Sequence, residues 1–275
     1  MNIAQSLQRA QTLGLTRIDA QLLHLHTLGR EPNDRAWLLA HDLDELPADS
    51  ARQLEQLMQR RLAGEPIAYI TGFKEFFGLK LQVDARVLDP RPDTETLVEW
   101  ALELLPENAP YRVLDLGTGS GAVALAVQHE RPACTVTAVD ASADALAVAS
   151  ANAHRLQLPV QCVLSHWMDA VLGSFDLIVS NPPYVVDNDP HLAALTHEPL
   201  SALTSGADGL DDIRQIIAQT PRHLSPDGWL LLEHGWDQAP SVQTLLREAG
   251  FVQVQSRKDL AGMDRCTGGQ WHSEG

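Results

Sequence analysis

The N-terminal quarter of the chain has apolar residues at helical spacing. Through residues 1–63 they recur three or four positions apart, which is the period of a helix with one buried face. One such set is Leu54, Leu57, Met58 and Leu62. Gly64-Glu65-Pro66 ends the run, because glycine and proline interrupt helices. We therefore predict a small all-helical domain over residues 1–66.

The rest of the chain alternates short apolar runs with helical patterns. Residues 67–85, with the segment 73–83 at their centre, predict a β-hairpin linker, and residues 86–275 a second domain. The predicted strands are 113–116, 135–139, 160–164, 175–180, 229–233, 252–256 and 265–271. Helical patterns such as 143–156 and 211–219 lie between them. This alternation indicates an α/β fold with a mostly parallel seven-stranded sheet, whose last two strands pair antiparallel at one edge.

A glycine-rich turn follows the first of these strands and opens an alanine-rich helix. It consists of Gly117, Thr118, Gly119, Ser120 and Gly121. Glycines allow a ligand to approach the backbone closely, and the helix start offers free N–H groups. Asp140 ends the next strand, about 20 residues further on, where a carboxylate can bind ribose hydroxyls. This pattern suits either a dinucleotide or S-adenosylmethionine, so it does not decide between them.

The tetrapeptide Asn181-Pro182-Pro183-Tyr184 follows the apolar strand 175–180. An amide-type nitrogen is a poor nucleophile, so a site that alkylates one must hold its N–H groups with acceptors. The side-chain oxygen of Asn181 and the carbonyl of Pro182 are two such acceptors, on a backbone stiffened by two prolines. The ring of Tyr184 can lie against the flat face of an amide or a base. Asn-Pro is also an ordinary way to start a turn.

The two motifs together favour methyl transfer. A nicotinamide enzyme has no evident use for Asn-Pro-Pro-Tyr at the end of the fourth strand. Ligands of open α/β sheets bind at the carboxyl ends of the strands, and Gly117, Asp140 and Asn181 all lie at such ends. We therefore predict that these residues converge on one crevice.

Composition and charge limit the location and the partners. The first residues lack an apolar signal core and no 18-residue apolar stretch occurs, so we expect a cytoplasmic protein without membrane contact. Three scattered cysteines indicate reduced thiols, and the histidines lack metal-ligand spacing, so no metal is expected. The net charge of −16 argues against direct binding to nucleic acid, whose backbone attracts lysine and arginine.

Four motifs together resemble one enzyme family. They are Arg91-Pro92-Asp93-Thr94-Glu95, the Asp-Leu-Gly-Thr-Gly-Ser-Gly loop that starts at Asp115, Asn181-Pro182-Pro183-Tyr184, and Glu198-Pro199 followed by Gly206-Ala207-Asp208-Gly209-Leu210. On these motifs the chain resembles the HemK/PrmC family of methyltransferases, which modify the glutamine of the Gly-Gly-Gln motif in bacterial peptide-chain release factors. The resemblance implies a Rossmann-like fold, S-adenosylmethionine as co-substrate and a release factor as partner. His197 stands where the family more often has an aromatic residue.

The resemblance also implies roles for individual residues. The cofactor-binding set would be Gly117, Thr118, Gly119, Ser120 and Gly121 at the methionine and ribose, Asp140 at the ribose hydroxyls, Trp167 at the adenine, and Asn181. Asn181 would also touch the substrate amide, and Pro182, Pro183 and Tyr184 would complete the catalytic site. The helical domain would recognise the protein substrate. The segment 91–95 would start a helix with Asp93 as its cap, or support the donor site.

Two other functions stay open. An adenine amino group presents the same two N–H donors to Asn-Pro-Pro-Tyr, so the chain is alternatively a DNA adenine-N6 methyltransferase, although its charge counts against gripping phosphates. The other alternative is a non-catalytic binding module that keeps the donor-binding fold and no longer transfers methyl groups. The tail contains Gly268-Gly269-Gln270, the tripeptide that the family modifies, and we interpret it as a coincidence in a short edge strand.

Overall fold

The structure, a computed structural model, describes residues 1–272. The chain divides into two compact units, Met1–Phe73 and Lys74–Gly275. The last three residues of the predicted catalytic domain, 273–275, lie outside the described residues. The domain limits inferred from the sequence, 1–66, 67–85 and 86–275, stay predictions.

The first unit consists of helices packed around an apolar core. The helices are α1 (Ile3–Thr12), α2 (Arg17–Thr27), α3 (Arg35–Ala40), α4 (Ala48–Leu62) and α5 (Ile67–Thr71). The first one is capped by Asn2, whose side chain accepts from the Gln5 amide at 2.8 Å. Residues 1–63 are not helical throughout, because the chain turns between helices, for instance at Gly29, which has a φ of 66°. The helix α5 occupies positions where the hairpin linker was predicted to begin.

A two-stranded hairpin follows, made of β1 (Phe73–Phe76) and β2 (Leu79–Gln82). Its turn has φ values of 48° at Phe77 and 76° at Gly78. Two successive residues with positive φ are typical of the tight turns whose twist matches that of the flanking strands.

The second unit contains a seven-stranded sheet in the order β5-β4-β3-β6-β7-β9-β8. The strands are β3 (Arg112–Leu116), β4 (Thr135–Asp140), β5 (Val160–Leu164), β6 (Phe175–Ser180), β7 (Leu224–Glu233), β8 (Phe251–Lys258) and β9 (Asp264–Trp271). The first five are parallel, and β9 runs antiparallel to both of its neighbours. The predicted α/β sheet with an antiparallel edge is confirmed.

Five α-helices accompany this sheet. They are α6 (Glu95–Leu104), α7 (Ala122–Glu130), α8 (Ala143–Leu156), α9 (Asp211–Gln219) and α10 (Ala239–Glu248). Short 3₁₀ helices occupy Pro92–Thr94, Pro190–Ala194, Leu200–Ala202 and Thr220–Arg222. The central strands are buried on both faces, as the successive residues Leu177 and Ile178 of β6 and Leu230 and Leu231 of β7 show. After β3 the chain builds β4 and β5 on one side, then returns to place β6 on the other. The strand order therefore reverses between β3 and β6, and a ligand crevice is expected at their carboxyl ends.

The strand that carries Gly268-Gly269-Gln270 lies inside the sheet. The predicted edge position is wrong, because β9 is paired with β7 on one side and β8 on the other. A Cβ on Gly268 would lie 2.7 Å from the Leu230 carbonyl oxygen and 2.9 Å from the Trp100 ring. The Gln270 side chain donates to the Asp227 carbonyl at 2.9 Å. Packing within the sheet thus requires at least the first of these glycines.

Candidate active site

The glycine loop between β3 and α7 is held in a conformation that favours glycine. Its φ values are 69° at Gly117, 55° at Gly119 and 84° at Gly121, all left-handed. A Cβ on Gly121 would come within 3.0 Å of the Leu125 side chain, whereas one on Gly119 would meet no atom within 4 Å. Gly121 is therefore needed for packing, and Gly119 leaves open space above the loop.

A buried carboxyl beneath the loop ties it to the following helix. Asp115 accepts from the Thr118 hydroxyl at 2.6 Å and from the Ala124 amide at 3.1 Å. Burial raises the pKa of Asp115 to about 6, and these two hydrogen bonds act in the opposite direction. Asp115 thus ties the loop to the first turn of α7 through partners 3 and 9 residues away.

Asp140 stands at the end of β4 and faces the loop. Its carboxylate accepts from the Gly119 amide at 2.9 Å and from the Ser142 amide at 2.9 Å, one on each oxygen. A carboxylate can accept about four hydrogen bonds, so each oxygen keeps a free lone pair. Asp140 is therefore positioned, and still able to accept from a ligand's hydroxyls.

Trp167 closes the other side of the loop. Its ring lies 3.4 Å from the position of a Cβ on Gly117, and the residue is buried with a φ of 44°, which is uncommon for a bulky side chain. Its indole Nε1 is buried and has no hydrogen-bond partner among residues 1–272. A buried indole N–H without a partner is unusual, and a bound ligand is one explanation for it.

The Asn-Pro-Pro-Tyr turn leaves the sheet at the end of β6, next to the glycine loop. The Ser180 hydroxyl donates to the Leu116 carbonyl at 2.7 Å, which ties β6 to β3 at this point. The amide Nδ2 of Asn181 donates to the Thr94 hydroxyl at 3.1 Å. Because Nδ2 is held in this way, the acceptor Oδ1 is the end of the side chain left for another group.

Tyr184 is anchored by backbone and side chain. Its amide donates to the Leu203 carbonyl at 3.2 Å, and its carbonyl accepts from the Gln238 side chain at 3.1 Å. Gly209 also lies against this carbonyl with a φ of 72°, so no larger residue fits there. The Tyr184 hydroxyl donates to Oε1 of Glu233 at 3.3 Å. Burial, and then the charge of that carboxylate, raises the pKa of Tyr184, so the hydroxyl stays protonated.

Glu233 is a buried carboxyl that sequence reasoning missed. It ends β7, is fully buried, and its Oε2 has no hydrogen-bond partner among the described residues. Burial raises the pKa of Glu233 to about 7, although the nearby Thr94 hydroxyl and Arg265 guanidinium favour the charged form. The available signal was its place at the carboxyl end of a parallel strand, which Asp140 and Asn181 share.

The segment 91–95 differs from its predicted role at one residue. Asp93 does not cap a helix: it lies inside the 3₁₀ helix Pro92–Thr94, and its carboxylate is 3.2 Å from the Arg265 guanidinium. The cap prediction is wrong because this short helix precedes α6 and makes Thr94 the residue before it. Arg91 donates to Glu198 at 2.5 Å and so holds the Glu198-Pro199 motif.

These elements surround a cavity of about 400 Å³, within the range of small-molecule sites. Its lining includes Gly117, Thr118, Gly119, Ser120, Asp140, Trp167, Asn181 and Pro183 from the predicted set. Gly121, Pro182 and Tyr184 are not among the lining residues. Two further segments contribute to the wall, one between Arg86 and Pro90 and the other in the 3₁₀ helix Leu200–Ala202. They were not predicted from the sequence, and their only signal was that they adjoin the motifs 91–95 and 198–199.

Neither a metal centre nor a membrane helix is found in the described part of the chain. Among residues 1–272 no group of three His, Cys, Asp or Glu side chains is arranged to hold a metal ion. None of the helices over those residues has the length and apolar character needed to cross a bilayer.

Comparisons with known proteins show which family the chain belongs to. The family described as Methyltransferase small domain matches residues 94–258, and the family described as PrmC N-terminal domain matches residues 2–72. The release factor glutamine methyltransferase of Bordetella pertussis is 50% identical over 260 residues, which cover 93% of this chain and 95% of that protein. The chain belongs to the release factor glutamine methyltransferase family.

Other members of this family and one solved structure extend the comparison. The release factor glutamine methyltransferase of Pseudomonas aeruginosa is 48% identical over 259 residues, covering 93% of this chain and 92% of that protein. The crystal structure of a methyltransferase from Pyrococcus furiosus has a TM-score of 0.57 at 19% identity, and the match covers 82% of this chain and all of that one. At that identity it shows the fold alone. The resemblance inferred from the motifs is confirmed, and the chain is a member of a methyltransferase family.

Proposed function

We propose that the protein transfers a methyl group from S-adenosylmethionine to the side-chain amide nitrogen of the glutamine in the Gly-Gly-Gln motif of bacterial release factors. The observation that carries this proposal is the orientation of Asn181 beside the cavity, with Nδ2 bound to Thr94 and Oδ1 left to accept an N–H. The names of the relatives from Bordetella pertussis and Pseudomonas aeruginosa support the choice of a release factor as substrate.

The residues of the cavity fit the proposed donor. Bound S-adenosylmethionine supplies a methyl group made electrophilic by a positively charged sulfur. Gly117, Thr118, Gly119 and Ser120 would form the wall along its methionine and ribose. Gly121, the last residue of this cofactor-binding loop, would act from behind the wall by packing against α7 and α8. Asp140 would accept from the ribose hydroxyls through its two free lone pairs, and Trp167 would lie by the adenine. The unpartnered indole N–H of Trp167 and the open space above Gly119 support this assignment.

The substrate amide would be held by the Asn-Pro-Pro-Tyr turn. Oδ1 of Asn181 and the carbonyl of Pro182 would each accept one N–H of the glutamine, and Pro183 would wall the site. Tyr184 would place its ring against the flat face of the amide, with its hydroxyl fixed by Glu233. Such positioning of two reactants can lower the barrier by about 7–11 kcal/mol.

The same two acceptors would act on the charge that develops during transfer. The nitrogen gains positive charge as its bond to the methyl carbon forms and the bond from that carbon to sulfur breaks. Acceptors held in place strengthen their hydrogen bonds to the N–H groups as this happens. The methylated nitrogen is then acidic, so it loses its proton to water without a dedicated strong base.

The remaining parts of the chain receive roles that rest on this function. Residues 1–66 would recognise the release factor, residues 67–85 would link the domains, and residues 86–275 would carry out the reaction. The partner would be met in the cytoplasm. Direct nucleic-acid binding is not expected at a net charge of −16.

The test uses S-adenosylmethionine with a labelled methyl group. The purified protein is offered a bacterial release factor, the same factor with the Gly-Gly-Gln glutamine changed to alanine, and duplex DNA. We expect label on the intact factor alone. Label on DNA would move the chain to the adenine-N6 methyltransferases, and donor binding without any transfer would indicate a module that has lost turnover.

A further inference from the structure

Both ends of the Asn-Pro-Pro-Tyr turn lead to one buried side chain. At the far end, the Tyr184 hydroxyl donates to Oε1 of Glu233 at 3.3 Å. At the near end, Asn181 donates to Thr94 at 3.1 Å, and the Thr94 hydroxyl is close enough to Glu233 to favour the ionised form of its carboxyl. A single carboxyl on β7 therefore lies behind the two side chains that would face the substrate.

The hydrogen bonds along this path have a direction. The Thr94 hydroxyl accepts from Asn181, so its own proton is free to point towards Glu233. An ionised carboxyl can only accept, and it therefore favours this arrangement at Thr94 and at Tyr184 alike. A protonated carboxyl is itself a donor and competes with both hydroxyls. The charge of Glu233 thus selects the orientation in which the oxygen of Asn181, not its nitrogen, is left for the substrate.

The surroundings of Glu233 make its ionisation finely balanced. The carboxyl is fully buried, and Oε2 lacks a hydrogen-bond partner among residues 1–272. On β9, Arg265 favours the charged form, while Asp93 on the 3₁₀ helix opposes it. Cys266 pairs with Glu233 across the sheet and is kept protonated by burial and by this carboxylate. Arg265 in turn contacts Asp259 at 3.1 Å, which compensates part of its charge.

We propose that Glu233 is a positioning residue for methyl transfer. Its ionised carboxyl orients Tyr184 by a direct hydrogen bond, and it orients Asn181 indirectly, through the Thr94 hydroxyl. This proposal rests on the methyl-transfer function inferred above. Glu233 itself lies behind the turn and touches neither reactant.

The proposal has a consequence for the dependence of the reaction on pH. Burial raises the pKa of Glu233 from 4.5 to about 7, so the carboxylate fraction grows as the pH rises through that value. Turnover should follow that fraction, increasing through about pH 7 and levelling off above it. Tyr184 and Cys266 have raised pKa values and stay protonated over this range, so they add no step of their own.

The kinetic test compares the full chain with Glu233→Gln and a matched control, Glu248→Gln. Glu248 is an exposed residue at the end of α10 and is not placed in the site. Methyl transfer to a release factor is measured at saturating donor between about pH 5.5 and about pH 9. We expect the natural protein and the control to show the rise through about pH 7. Glu233→Gln should show no such rise and turn over about 10- to 100-fold more slowly.

Two results would overturn the positioning role. One is an unchanged midpoint of the pH profile in Glu233→Gln. The other is a loss of S-adenosylhomocysteine affinity as large as the loss of turnover, which would indicate general damage to the fold. Thermal unfolding and the binding of that product by calorimetry complete the comparison. We expect the affinity to stay within about twofold, since Glu233 ends β7, which β6 separates from the strand that carries the glycine loop.

A measurement without any substrate separates this proposal from the proposed function. The chain has three tyrosines, so ¹³C-labelled tyrosine gives few signals and Tyr184→Phe assigns the one of interest. The Tyr184 ring signal should titrate with a midpoint near pH 7 and stop doing so in Glu233→Gln. A signal that does not move would refute the coupling. If the natural protein labels no release factor but this signal titrates, the proposed substrate fails and the coupling stands.

Discussion

The glycine loop at the end of β3 and the Asn-Pro-Pro-Tyr turn at the end of β6 meet at the same crevice, but they are supported differently. The loop is fixed by partners at most 32 residues away. Asp115 bonds to residues 3 and 9 positions away. Asp140 bonds to Gly119 from 21 positions away, and Asn152 bonds to Ser120 from 32 positions away. The turn is fixed by side chains far along the chain: Asn181 binds Thr94, 87 residues away, and Tyr184 binds Glu233, 49 residues away.

This difference gives the two regions different sensitivities. The loop offers a ligand its backbone groups and the carboxylate of Asp140, which two hydrogen bonds hold in place. Its shape depends on glycines with positive φ. The turn offers polar side chains whose orientation depends on a buried carboxyl with one oxygen unpaired. Networks of buried polar groups are costly when only partly satisfied. Changes to the loop should therefore affect donor affinity, and changes to the turn should affect turnover.

The largest effect is expected for Asn181→Ala. Removing the acceptor that faces the substrate amide should lower kcat by about 100- to 1000-fold, as for other preorganised groups that act on developing charge. The dissociation constant for S-adenosylhomocysteine should change by less than about threefold, because the loop keeps its own bonds. Steady-state kinetics and calorimetry measure the two quantities. Equal losses in both would contradict the proposed role.

A change in the loop should have the opposite signature. Gly117→Ala forces a left-handed conformation on a residue with a Cβ, at a cost of about 1–2 kcal/mol, beside the Trp167 ring. We expect donor affinity to fall by about tenfold, with kcat at saturating donor within about threefold. Gly29→Ala is the control: its φ is 66° and a Cβ there meets nothing within 4 Å. It should lose stability and keep donor affinity.

A smaller effect is expected for Tyr184→Phe. The ring stays, but Glu233 loses the hydroxyl that donates to it, so kcat should fall by about fivefold to tenfold. That hydrogen bond lowers the pKa of Glu233, so its removal should shift the rise in turnover above pH 7. The pH profile of kcat measures the shift. A midpoint that moves downward would show that another group controls the profile.

The smallest effect concerns stability. Burial raises the pKa of Glu233 from 4.5 to about 7, so its contribution to stability is fully present below about pH 4.5 and is lost as the pH rises through 7. Glu233→Gln removes this loss. The Tm of the variant minus that of the natural protein should therefore be a few degrees larger at about pH 8.5 than at about pH 5. At this size about 1 kcal/mol of stability shifts Tm by about 2–4 °C. Calorimetry at the two pH values tests this, and an equal difference at both would exclude the linkage.

The observed bounds of individual helices and strands show how much of the fold local sequence patterns predicted. The helices 143–156 and 211–219 and the strands 160–164 and 175–180 have the predicted bounds, because periodicity and flanking turn residues act over neighbouring positions. The strand β7 starts five residues before its predicted beginning, at Leu224, since pairing with β6 extends it. The tail strand β9 was placed at the edge, and only the sheet order shows it inside.

The sequence by itself determined the fold class, the glycine loop, the position of Asp140 and the Asn-Pro-Pro-Tyr turn, because each depends on residues adjacent in the chain. Only the tertiary structure decided the partners of that turn. It placed Thr94 and Glu233 behind Asn181 and Tyr184. It also paired Asp93 with Arg265 in a salt bridge, so that Asp93 does not cap a helix. Hydrogen bonds between distant segments and the burial of a carboxyl arise when strands from different parts of the chain assemble, and no local pattern records them.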